Sequence, residues 1–151
     1  MNFLKSMMLA ALGVWVGGIV FFSAVEAPLV LGYITDRVLA GAMISGSLHK
    51  LHTLGMICGL VFIFTSLAYS RVVNGELRAA SATNIAAALM VALTAVSQYS
   101  ILPAIARLRV SQPNAEQFAE FERLHTLSVG AEGATLLIGL VLLYLMARRL
   151  S

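Results

Sequence analysis

Four stretches of this chain run almost without charge over lengths that water-soluble folds do not tolerate. Residues 6–25, 51–70 and 79–106 contain no Asp, Glu, Lys or Arg, and residues 124–147 contain only Glu132. A helix needs about 20 apolar residues to cross the ~30 Å of bilayer hydrocarbon, and each stretch is long enough. Backbone N–H and C=O groups in hydrocarbon must bond within a helix or a closed barrel. The alternation a membrane barrel requires is absent. Composition agrees: 60% of the 151 residues are hydrophobic and 11% charged, against about a quarter charged in a soluble domain. The expectation is an all-α integral membrane protein, one four-helix transmembrane bundle over residues 1–151.

Several classes fall away. The first stretch starts like a secretory signal, with Lys5 before an apolar run and "AVEA" after it. That run exceeds the ~7–15 residues of a signal core, and a cut after Ala27 would leave Pro28 at the new terminus. It is read as a retained helix. Cys58 is the single cysteine, so no intrachain disulfide can form. The pI of about 9.4 comes from ten Lys and Arg scattered at span ends, where snorkelling and lipid phosphate account for them. Nucleic acid is excluded as a partner; the bilayer is the partner, and a homo-oligomer is compatible with the sequence. No nucleotide loop or clustered nucleophile and base is present, so no enzyme activity is assigned.

Local signals divide the chain. Helix one should run from about Phe3 to Ala27, because Pro28 disfavours helix in the residue before it. Asp36 offers an N-cap to a helix continuing into the second span. From Asp36 to Ser70 it would measure about 50 Å, so its first part should lie at the interface or bend near Gly41 or Gly46. Asn74-Gly75 marks a turn, and span three should end near Pro103. Asn114 and Gln117 form a capping-box-like start to a polar pre-helix leading into span four.

"KLHTLG" at residues 50–55 returns as "RLHTLS" at residues 123–128. Pro28 lies 23 residues before Leu51, and Pro103 lies 21 before Leu124. Each half thus reads as span, proline, connection, basic–Leu–His–Thr–Leu, span. The bundle is expected to consist of two parallel-repeated helical hairpins, about 7–73 and 79–149, related by an axis along the membrane normal. Basic residues number five on either side: Lys5, Arg71, Arg78, Arg148 and Arg149 against Arg37, Lys50, Arg107, Arg109 and Arg123. The count that sets topology is balanced, and the double arginine tips the choice toward cytoplasmic termini.

Polar groups gather toward one side of the bundle. Glu26 ends helix one, His49 and His52 begin helix two, Gln98 and Tyr99 end helix three, and His125 begins helix four. Glu132 follows His125 by two turns, about 10 Å deeper. An ionisable residue at that depth faces the bundle interior and is a candidate site, or it bonds neighbouring helices together. The histidines, with Glu26 or Glu132, could form a His/carboxylate metal or haem site, or sit at the headgroup level. No cofactor or metal identity follows from the spacing. Gly13/Gly17 and Gly55/Gly59 are small-xxx-small pairs that allow close helix approach, and Trp15 is expected to pack inside.

"WVGGIVFFSAVEAPLVL", "DRVLAGAMISGSL" and "FERLHTLSVGAEG" occur in this order over nearly the whole chain, Trp15 to Gly133. Together they resemble the transmembrane protein 205-like family, known in bacteria as domain of unknown function 4149. The resemblance implies a small four-helix protein of a bacterial inner (cytoplasmic) membrane with no agreed reaction. The family's last span usually carries asparagine where this chain has Glu132. Copper-resistance membrane proteins with histidine-bearing spans are a more distant likeness. The expected function is small-solute or metal-ion handling through a polar pocket among Glu26, His52, His125 and Glu132; the alternative is a structural or accessory subunit.

Overall fold

The computed structural model describes residues 2–77, 79–109 and 114–148. Arg78 and Arg149, two of the cations in the charge balance, lie outside the described residues. In chain order the elements are α1 (Asn2–Phe21), a π-helical segment (Phe22–Glu26), α2 (Ala27–Tyr33), α3 (Arg37–Asn74), α4 (Ala82–Val96), a second π-helical segment (Ser97–Ile101), α5 (Leu102–Arg107) and α6 (Ala115–Arg148). They join into four rods long and apolar enough to cross a membrane: Phe3–Tyr33, Arg37–Asn74, Ala82–Arg107 and Ala115–Arg148.

The two prolines do not end their helices as expected. Helix continues past Pro28 to Tyr33 and past Pro103 to Arg107. A proline lacks an N–H and its ring presses on the carbonyl four residues back. Here the preceding turn widens to π geometry, closed by Ala27 N–H to Phe22 O and Leu102 N–H to Ser97 O. The widened turn absorbs the clash, and the rod goes on.

The other local signals act as expected. Asp36 Oδ1 accepts from Val38 N at 2.9 Å and Leu39 N at 3.1 Å, capping α3. That helix runs unbroken through Gly41 and Gly46 to Asn74, about 57 Å at 1.5 Å per residue. It therefore projects well beyond the hydrocarbon. Gly75 terminates it at φ 72°, the left-handed conformation that favours glycine. Asn114 and Gln117 exchange side-chain bonds to each other's backbone N–H, at 2.8 and 3.1 Å, at the head of α6.

α3 and α4 are neighbours, as are α4 and α6, while α1 packs on both α3 and α6. This ring leaves α3 and α6 facing each other across a diagonal. The core is built on Leu12, Trp15, Ile19, Phe62, Met90 and Leu142. A Cβ on Gly55 or Gly59 would collide with the Trp15 ring, so this glycine pair seats the buried tryptophan, as expected of both. Gly13 and Gly17 differ: nothing lies within 4 Å of a Cβ there, and they make no close approach inside the bundle. A smaller cluster of Phe22, Leu48 and Leu102 binds the two proline-bearing regions to α3. Phe64, Ile85, Leu137 and Val141 point outward and exposed, the apolar exterior that a lipid solvent demands.

Candidate functional site

Three helices meet at one buried histidine. His52, 1% exposed, projects from α3 into the bundle. Its Nδ1 lies 3.2 Å from Gln98 Oε1, and its Nε2 lies 2.9 Å from Glu132 Oε2 on α6. The second bond crosses the α3–α6 diagonal. Gln98, itself 3% exposed, sits in the second π segment and uses its amide fully. Its Nε2 donates to His49 Nδ1 at 2.8 Å and to Thr53 Oγ1 at 3.5 Å. Thr53 in turn donates to the His49 carbonyl at 2.9 Å.

These partners fix the protons. A carbonyl oxygen only accepts, so His52 Nδ1 carries hydrogen in the orientation Gln98 takes. The other contact, Nε2 to Oε2, then needs one more proton. It rests on the imidazole facing a carboxylate, or on the carboxyl facing a neutral ring. Without it, two lone pairs would meet at 2.9 Å. Because Gln98 Nε2 donates, His49 Nδ1 is a bare acceptor. Turning the Gln98 amide over would reverse the roles of both histidines together. Burial makes each such bond matter more, since a stranded polar group costs about 1–3 kcal/mol.

Glu132 is the outlet of this network. Its side chain is 14% exposed. It lines a cavity of about 1010 Å³ bounded by α1, the first π segment, α2, α3, α5 and α6. Oε1 of Glu132 has no hydrogen bond among the described residues. The walls are mostly apolar, including Phe22, Leu48, Ile105, Phe118 and Phe121. Arg37 and Arg109 also line it. Arg109 Nη2 donates to Ser45 Oγ at 2.6 Å, and burial pulls its guanidinium below the ordinary arginine range.

The expected pocket residues thus separate. His49, His52, Gln98 and Glu132 are joined in one network. His125 is exposed, stacks on Phe121 with ring centroids 6.0 Å apart, and lines the cavity without joining them. Glu26 is half-buried and is neither in the network nor on the cavity wall. Tyr99, 69% exposed, points away from its neighbour Gln98. No three His, Cys, Asp or Glu side chains among the described residues are grouped to hold a metal ion. Thr53, Ser45, Arg37 and Arg109 were not among the expected pocket residues. Thr53 could have been found from the repeated "LHTL" run; the arginines looked like ordinary interfacial charges.

No curated protein and no solved structure matches the chain. The family described as domain of unknown function DUF4149 matches residues 10–114. That stretch contains His49, His52, Thr53 and Gln98 and stops short of Glu132. With most of its length inside the match, this multi-pass membrane chain belongs to the DUF4149 family.

Proposed function

We propose that the protein binds a small solute in the cavity and that the His52–Glu132 pair exchanges one proton with the cavity's water, an exchange the solute controls. The observation that carries this reading is the position of Glu132. One of its oxygens is tied to a buried imidazole, and the residue forms part of the cavity wall. In the orientation Gln98 takes, Nδ1 keeps its hydrogen and the pair's proton sits at the Nε2–Oε2 contact. Losing the proton breaks the 2.9 Å bond or turns the Gln98 amide over. Either outcome links solvent chemistry in the cavity to helix packing across the diagonal.

The rival reading is a structural or accessory subunit, favoured by how completely Gln98 is satisfied. Interhelical hydrogen bonds of this kind are common glue in membranes. Glu132→Gln separates the two, since glutamine keeps the size and can donate to His52 Nε2 but cannot give up its proton. Subtracting the acid-minus-alkaline infrared difference spectrum of Glu132→Gln from that of the wild type should leave coupled carboxyl and imidazole bands belonging to the pair, with folding retained in the variant. A wild type without such bands would leave the structural reading standing.

Two parallel repeats are part of this proposal. Each π segment ends two residues before its proline, Pro28 or Pro103, and these prolines and the paired "LHTL" runs are offset by nearly the same number of residues. This supports a common origin for the halves. His52 and His125 would then lie at equal depth. The order of features from Trp15 to Gly133 supports kinship with the wider transmembrane protein 205-like family. A bacterial inner membrane with cytoplasmic termini is our assignment, resting on that kinship and the terminal arginine pair.

A further inference from the structure

The cavity has two chemically different ends. Among its lining residues Glu132 is the single acid and lies at the deep end, beside Ile19 and Leu136. Arg37 and Arg109 lie at the other. Arg37, Gly41 and Ser45 follow one another every four residues on one face of α3, which puts them in a row. Arg109 lies across that row. It bonds Ser45, and its Nε is 3.1 Å from where a Cβ on Gly41 would stand. Neither arginine has a carboxylate within 4 Å among the described residues. A partly buried guanidinium facing an apolar wall without a counter-ion leaves charge to be met by an anion.

Shape narrows the choice. Along α6 the lining runs from Phe118 to Leu136, about 27 Å by helical rise. The walls along that length are mostly apolar, with Arg37 and Arg109 at one end and Glu132 toward the other. The length exceeds the ~15 Å of hydrocarbon in one leaflet. A chain-like guest fits this form, with charge at one end and alkyl beyond it.

We infer that the cavity binds a single-chain anionic lipid, a long-chain carboxylate held by Arg37 and Arg109 with its alkyl chain lying toward Glu132. This names the solute class of the proposed site and rests on that reading. The tail passes Phe118, Phe121, Leu48 and Phe22. Its far end lies against Glu132 and closes the pair off from the cavity's water while the site is occupied.

The test is equilibrium binding of hexadecanoate to the purified protein in a non-ionic detergent, with octanoate and hexadecyltrimethylammonium as comparisons. Hexadecanoate should bind one to one and the cationic amphiphile at least tenfold more weakly. Arg37→Gln and Arg109→Gln should each weaken hexadecanoate by about tenfold, the scale of one lost hydrogen bond to a charged group. Arg37 is exposed, so its variant should fold even if the Arg109 variant does not. Octanoate should bind much more weakly because it covers less of the apolar wall. Equal binding of the cationic amphiphile, or no effect of Arg37→Gln, would mean annular lipid and overturn the assignment. If arginine-dependent binding is found but the infrared bands do not respond to it, the lipid assignment stands and the proton reading fails. Bands that titrate without any carboxylate binding overturn the lipid assignment and leave the proton reading intact.

Discussion

His52 and His125 occupy matching positions in matching runs and end in opposite surroundings. His52 meets Gln98 and Glu132 in the bundle, while His125 stacks on Phe121 at the cavity wall. The residue that would answer Glu132 in the first half is Gly59, 73 positions earlier, and it gives its space to Trp15. On the proposed repeat, this position would serve packing in one half and carry a carboxyl in the other. That division makes glycine a sensitive probe. Gly55→Ala forces a methyl into the Trp15 indole and should destabilise the protein by about 1–3 kcal/mol, the usual scale of overpacking. Gly13→Ala meets nothing within 4 Å and should be neutral or gain up to ~1 kcal/mol from helix propensity. Thermal unfolding of both variants in detergent measures the contrast. Equal losses would mean that Trp15 does not rest on Gly55.

At the scale of elements, the π segments decide which side chains can meet. In the second segment Ser97 and Gln98 are both buried while Tyr99 is turned out, a pairing of consecutive inward positions that the extra residue in the turn permits. Pro103 sustains it, so Pro103→Ala should let the segment relax toward α-helix and swing Gln98 out of line with His52. Nitrogen chemical shifts of the two ring systems would register this as loss of the fixed Nδ1–H of His52 and of the bare Nδ1 of His49. Unchanged shifts would show that packing alone holds the widened turn. Sequence signals of short range were legible: the Asp36 cap, the Gly75 stop and the Asn114–Gln117 box are each written within four residues. The continuation through Pro28 and Pro103 was not, because a proline reads as a stop unless the preceding turn can widen, and that depends on neighbours such as Leu48. Nor could spacing tell which of Gln98 and Tyr99 would face inward.

For the whole molecule, four charge-poor stretches were enough to give the spans, since the bilayer leaves a chain few alternatives. Which spans stand side by side was a different matter. The His52–Glu132 bond joins positions 80 residues apart across a diagonal, and nothing in local periodicity encodes it. The same arrangement makes the bundle asymmetric from end to end. On the side of the long connections the rods open around the cavity, whereas toward the termini Met8, Leu12, Phe62, Leu142 and Met146 fill the interior. Accessibility should therefore be one-sided. Ser128 is buried yet lines the cavity one turn above Glu132. In reconstituted vesicles, Ser128→Cys should react with a polar, membrane-impermeant thiol reagent only from the side bearing Arg37, and hexadecanoate should slow the reaction. The native Cys58, packed in the closed core, should stay unreactive from either side until the protein unfolds. Labelling of Ser128→Cys from the side of the termini would reverse this polarity and place the solvent path through the packed end of the bundle instead.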